Sequence, residues 1–322
     1  MEPSPIRMMF YNVENFFDIH DDSLTDDNDF LPHGLMRWNY ERYKQKIISL
    51  YKVITAAGEW SPPALIGFCE VEKRSVLEDL ITDTYLVKNN FGIVHEESPD
   101  PRGIDVCLIY RKDLINLLGY HYLMPENAAA NEYKTRSVLY SRWNIFDDTI
   151  HLFLNHWPSR RGGVLAGEST RMKIAHMIKG KVDSLLENTK GRAKIIIAGD
   201  FNCSPDDKEI LSLLKHDPSA AGLINLSEQY SEKGKGTYRY LGTWDMFDQV
   251  LVSEWLLNCS LGVNTSPEFF RIFNPNFLLR KDTKYPGVSP FSTYLGYKYQ
   301  GGYSDHLPVI LDLKINTINQ TK

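Results

Sequence analysis

Apolar residues in this chain fall into short runs of two different spacings, and the spacings predict the elements. Continuous β-branched or apolar runs at Ile6–Tyr11, Ala64–Cys69, Ile104–Tyr110, Phe247–Val252 and Leu307–Leu313 read as strands, as does the run from Lys194 to Gly199. Thr135–Phe146 and Thr149–Leu154 are split only by Asp147-Asp148 and read as a hairpin. Helical spacing occurs instead in Asn39–Ala57, through Tyr43, Ile47, Leu50 and Ile54, with Gly58 as a stop signal. It returns in 169–188 through Met172, Ala175, Ile178, Val182 and Leu185, with Ser169 as N-cap and Gly191 as the stop. Ser75–Ile81 reads as a shorter helix. Asp18–Pro32 is acidic and reads as a surface loop, and 262–300, rich in Pro, Asn and Tyr, reads as irregular. Hairpins mixed with strand–helix alternation predict an α/β (α+β) protein of two mixed sheets packed together with helices outside. No repeat, low-complexity tract or linker-like composition shift is present, so one domain over 1–322 is expected.

Polar residues gather where the strands end, which is where loops carry function in α/β proteins. The clearest case is "KIIIAGDFNCSPDD", residues 194–207, where a fully apolar run passes through Gly199 into Asp200 and Asn202. Glycine there lets the backbone approach something closely. In extended chain the spacing of two puts both polar side chains on one side. Buried together, an acid and an amide must hold a ligand, a metal or each other; a plain turn is the alternative, since Asp, Asn, Ser and Pro all favour turns. The other strand ends add Asn12 and Glu14, Glu70, Asn155 and His156, Asp248, and Asp305 with His306. A set rich in oxygen and poor in nitrogen and thiolate suits Mg²⁺, with Mn²⁺ as the alternative, better than zinc.

Charge narrows the partners. The net charge of −5 and sequence pI near 6.0 give no global pull toward polyanions, so any grip on nucleic acid or phosphate must be local. Cys69, Cys107, Cys203 and Cys259 form no CxxC pair and read as reduced core thiols, with neither a disulfide framework nor a zinc site. The start, "MEPSPIRMMFYN", lacks the layout of a signal peptide, and nothing approaches a membrane-spanning apolar length. As written the chain is expected to be cytoplasmic without membrane insertion, secretion remaining open if a leader was trimmed. No protein partner is inferable.

The blocks "FYNVENFFD", "GFCEVE", "NHWPS", "AGDFNCSP", "FDQVLVS" and "YSDHLPV" resemble, in order, the signature blocks of the endonuclease/exonuclease/phosphatase (DNase I-like) superfamily. "GDFN" and "SDH" are short signals alone, but the ordered set spans residues 10–310. The resemblance implies a four-layer sandwich with a site at one edge of its two sheets. It makes Glu70 the principal Mg²⁺ ligand, supported by Asn12, with Glu14 and Asp305 as further acids near the metal. It makes Asp200 the group that orients or deprotonates the attacking water, and Asn202 a donor to the transition state. His306 becomes an imidazolium on the phosphate with Asp248 fixing its ring, and His156 a phosphate contact near the leaving group. Arg136 resembles a family arginine bordering the site, and Arg102 is a weaker phosphate-binding candidate.

Arg160 and Arg161, with two glycines after them, add guanidiniums suited to phosphate capture, or else make a solvated basic loop. Ser159 follows "NHWP" where the abasic-site enzymes carry Asn, so abasic-site specificity is not assigned. The acidic loop 18–29 lacks the central glycine and terminal glutamate of an EF-hand and reads as solvated, or as a substrate-facing lid. The function implied is Mg²⁺-dependent hydrolysis of phosphodiesters, foremost as a nuclease. The alternatives are inositol phosphates, phospholipid head groups or nucleotides as substrates, and a catalytically dead binding module.

Overall fold

The computed structural model describes residues 5–125, 135–160, 167–214 and 222–316. Two mixed sheets carry the chain. One runs in the order Gly262–Asn264, Val309–Asn316, Ile6–Phe16, Leu65–Val71, Asp105–Arg111, Phe91–Val94, with Phe270–Ile272 also paired to Val309–Asn316. The other runs Asn116–Leu123, Val138–Ile145, Asp148–His156, Lys194–Asp200, Asp248–Ser253, Leu223–Asn225. Each has one parallel junction at its middle, Ile6–Phe16 with Leu65–Val71 and Asp148–His156 with Lys194–Asp200. Helix crossovers make those junctions possible.

Alternate residues of the central strands face opposite layers, as the period of two requires. Met8, Phe10, Ile196 and Ala198 meet between the sheets. Met9 and Tyr11 pack instead under helices Tyr40–Gly58 and Arg74–Thr82, and Ile195 and Ile197 under helices Glu168–Asn188 and Lys208–Leu214. This is the helix–sheet–sheet–helix sandwich expected from the chain's patterning.

Several boundaries differ for local reasons. Asn39 caps the first helix, its side chain accepting from Arg42 N at 3.1 Å. The long helix starts at Glu168 behind Gly167 at φ 71°, not at a Ser169 cap. Gly191, at φ 78°, closes that helix by donating to Leu186 O at 2.7 Å. Asn116–Leu123 is a strand that the apolar pattern missed, because it is a half-exposed edge with no continuous apolar run. The stretch 262–300, read as irregular, holds short strand pairs, among them Leu279–Lys281 with Val288–Pro290 and Tyr294–Leu295 with Lys298–Tyr299. All four cysteines are buried and free. Among the described residues no helix is long and apolar enough to cross a membrane.

Candidate active site

Strand Lys194–Asp200 sets the centre of the site. Gly199 takes φ 155°, and a Cβ there would meet Asn155 O at 2.3 Å, so the glycine permits close parallel pairing with 148–156. Asp200, at the strand's last position, is 1% exposed. Its Oδ1 accepts from Asn202 N at 2.9 Å and its Oδ2 from Asn12 Nδ2 at 3.0 Å. Asn202 does not share the strand's alternation. Its backbone is left-handed, φ 49°, and its Nδ2 donates to Trp157 O at 3.0 Å. The turn and the polar cluster, alternatives in the sequence, are therefore one structure: the Asp200 side chain closes the turn that brings Asn202 to the same cleft.

An irregularity in the neighbouring sheet supplies the other half. Register shifts between Asn12 and Phe16, where Glu14 (φ 50°) and Asn15 (φ 57°) are left-handed. Asn12 thereby faces Asp200, and Asn15 N donates to Glu70 Oε2 at 2.9 Å. Glu70 is itself left-handed, φ 64°, at a second register shift. Left-handed non-glycine residues cost about 1–3 kcal/mol each and persist where the surroundings over-determine them.

Charges in the site are sorted by contact. Arg102 Nη2 lies 3.6 Å from Glu70 Oε2 and donates to Asn15 Oδ1 at 2.5 Å. Burial pushes the Glu70 carboxyl up, but Arg102, His306 and Arg136 outweigh it and hold Glu70 below its ordinary value. His306 Nδ1 lies 2.6 Å from Asp248 Oδ2, and its Nε2 3.9 Å from Asp200 Oδ2. Burial opposes the imidazolium, yet Asp248 and Asp200 prevail and hold it well above the usual histidine value. His156 goes the other way: burial, then Arg136 and Arg102, push it well below that value. The site thus pairs a charged His306 with a neutral His156. Burial raises Asp200 to about 6, against the pull of His306.

Asn12, Glu70, Asp200, Asn202, Asp305 and His306 open together into a cleft of about 630 Å³, with His156, Arg102 and Arg160 on its walls. Asp248 stands behind His306 and is fully buried. Two sequence-predicted residues, Glu14 and Arg136, are turned away from the cleft. Glu14 Oε2 accepts from Thr293 N at 2.6 Å and its Oε1 from Tyr294 N at 2.9 Å. Both oxygens accept from backbone on the far side and neither opens into the cleft, so Glu14 does not stand with Glu70, Asp305 and Asn12, where a ligand was expected. Burial, then Asp305, push its carboxyl up to about 8, while the buried Lys46 pulls it back. Glu14→Gln should therefore cost about 1–3 kcal/mol of stability in thermal unfolding, since an amide leaves one buried N–H without an acceptor. It should leave Mg²⁺ binding near the wild-type value; a large loss of binding would return Glu14 to the ligand set.

Arg136 also lies behind the cleft wall, donating to Asp100 Oδ2 at 2.8 Å, with Nη2 3.0 Å from His156 Nε2. It meets the His156 ring and does not open into the cleft. Arg161 lies outside the described residues. Arg160 is not a free basic group: it pairs with Asp207, donates to Asn202 O at 2.8 Å and sits over the Phe247 ring.

The ribbon Tyr238–Tyr240/Thr243–Asp245 was not read from the sequence. It brings Tyr238, Tyr240 and Asp245 to the cleft beside Phe247. Its signal was present: alternating aromatics flank Leu241-Gly242, both at positive φ, as a two-residue hairpin turn demands.

Oxygen donors from Glu70, Asp305 and Asn12 facing one cleft fit a hard dication. Asp305 is raised by burial and by the Glu70 charge, a like-charge repulsion that a cation would relieve.

A model of the endonuclease/exonuclease/phosphatase family matches residues 7–315. Comparison with curated protein sequences gives no match. Among solved structures, a humanized D. rerio TDP2 aligns at TM-score 0.59 and 14% identity, over 97% of this chain and 100% of that one. D. rerio TDP2 complexed with single-strand DNA product aligns at 0.58 and 13%, over 97% and 100%. The human Nocturnin catalytic domain with bound sulfate aligns at 0.57 and 16%, over 98% and 96%. At such identities these likenesses speak for the fold, and they agree with the two-sheet sandwich described above. Matched along nearly its whole length, the chain belongs to the endonuclease/exonuclease/phosphatase family, whose members hydrolyse phosphate esters.

Proposed function

We propose that this chain is a Mg²⁺-dependent phosphodiesterase acting on nucleic acid, with the chain from 1 to 322 working as one unit. The observation that carries the reading is convergence: Glu70, Asp200 with Asn202, and His306 come from three separate strand ends and open into one cleft, with Asp248 locking the imidazole. Glu70, Asp305 and Asn12 would hold the ion, which when bound neutralises charge on the phosphoryl group and leaving oxygen.

The remaining work falls to the protein's own groups. Asp200, its ordinary value raised toward neutrality, orients the attacking water and takes its proton. His306, held charged, donates from Nε2 to a non-bridging phosphoryl oxygen. Asn202 gives one N–H to Trp157 O, leaving the second amide hydrogen for the reacting phosphate. Water attacks phosphorus in line as the P–O bond on the opposite side breaks, the departing oxygen takes a proton from solvent, and no covalent intermediate with the enzyme forms. The aromatic side chains Tyr238, Tyr240 and Phe247 beside these groups favour a substrate with planar rings, as nucleobases are. The DNA product held by the similar D. rerio TDP2 supports the same class.

The test is a substrate panel of plasmid DNA, RNA, sphingomyelin, inositol phosphates and bis(p-nitrophenyl) phosphate, each with Mg²⁺ or with excess EDTA. Cleavage of nucleic acid and the generic diester, lost in EDTA, is expected. Full rate in EDTA would defeat the metal requirement, and turnover confined to inositol phosphates or lipid would move the substrate class.

A further inference from the structure

Asp248 is held in an uneven way. His306 Nδ1, at 2.6 Å, and Thr237 Oγ1, at 2.5 Å, both meet its Oδ2. Oδ1 is buried without a hydrogen-bond partner among the described residues. The backbone N–H of Asp248 donates in turn to Thr237 Oγ1 at 3.1 Å, which fixes the hydroxyl hydrogen on the Oδ2 side. Thr237 is completely buried. It also roots the cleft-facing ribbon: its N–H donates to Asp245 O at 3.0 Å, and its carbonyl accepts from Leu307 N at 2.8 Å, one residue past His306. Tyr238 bridges His306 in backbone pairing, and the two rings lie 4.9 Å apart.

We infer that Thr237 is a positioning residue of the reaction, orienting Asp248 so that one carboxylate oxygen fixes His306. A carboxylate gripped at one oxygen by a single side chain besides the histidine can rotate about its terminal bond when that grip is lost, because such bonds have broad torsional wells. Rotation would carry Oδ2 away from Nδ1 and leave the imidazolium misaimed, even with Asp248 and His306 both present. The inference rests on the phosphodiesterase reading above.

The experiment compares wild type with Thr237→Val, which keeps the shape and removes the hydroxyl, and Thr237→Ser, which restores it. Thr237→Val should lower kcat on bis(p-nitrophenyl) phosphate by about tenfold to a hundredfold, the effect of one hydrogen bond to a charged group, with KM little changed. Thr237→Ser should recover most of the rate. By proton and nitrogen NMR, wild type and Thr237→Ser should share a low-field His306 Nδ1–H resonance that Thr237→Val shifts or loses. If Thr237→Val does not fold, the wild-type protein still decides: a cross-peak between the Thr237 hydroxyl proton and the His306 Nδ1 proton is expected, and its absence overturns the inference. A folded Thr237→Val with wild-type kcat, or with reduced kcat and an unmoved resonance, also overturns it. Wild-type protein that cleaves no phosphodiester would instead overturn the reaction assigned, and the resonance comparison would still judge the role of Thr237.

Discussion

Asp200→Asn should lower kcat by roughly 10²–10⁴-fold, the range lost with a positioned acid–base group. The protein should nonetheless stay folded, and the reason lies in the sign of the Asp200 shift. Burial raises this carboxyl from 3.8 to about 6 in the folded chain. A raised carboxyl contributes stability fully present below 3.8 and lost as pH rises through about 6. At pH 8 ionised Asp200 is therefore a burden on the fold; an amide removes that charge but gives up one of the two oxygens that accept from Asn202 N and Asn12 Nδ2. With the two effects opposed, thermal unfolding at pH 8 should give Asp200→Asn a Tm close to wild type while turnover collapses. In wild type the rate should climb with pH through about 6 as Asp200 loses its proton, with His306 still charged. A variant that turned over near the wild-type rate would end the assignment of Asp200.

Glu70→Gln should weaken Mg²⁺ binding by more than about tenfold, since it removes the anionic donor at the centre of the oxygen set while keeping the side chain's length. Titration calorimetry reads this without any assay of turnover. Glu70 is kept ionised by Arg102, His306 and Arg136 around it, and its Oε2 already has Asn15 N as a donor, so its geometry precedes any ligand. Loss of rate should accompany loss of binding, and excess Mg²⁺ should restore part of it. Unchanged Mg²⁺ affinity would show that the cation sits elsewhere or that none is held.

Part of this molecule was legible from residue order. Strand and helix spacing is a local property of the backbone, so Asn39–Ala57 and Lys194–Gly199 each anticipated an observed element to within a residue, and Ile6–Tyr11 anticipated the strand Ile6–Phe16 but not its bulged end. The polar strand ends were legible too, because buried runs rarely close on acids and amides without a use for them. Side-chain direction was another matter. Asn12 and Glu14 look equivalent in "YNVEN", yet one faces Asp200 and the other faces Thr293 and Tyr294. The left-handed bulge at Glu14 and Asn15 decides between them, and it depends on partners hundreds of residues away. Arg136 likewise has a family-like position but is drawn inward by Asp100, an acid in no motif.

What the sequence determined by itself was the central strands and the long helices, their class, and the chemical character of the strand ends. Those follow from periodicity and residue type, which act over a few neighbouring positions. Only the tertiary structure decided which acids face the cleft, which histidine keeps its proton, and which aromatics line the rim. Those depend on distances, burial and opposing charges between segments brought together by the two sheets, and spacing along the chain carries none of that information.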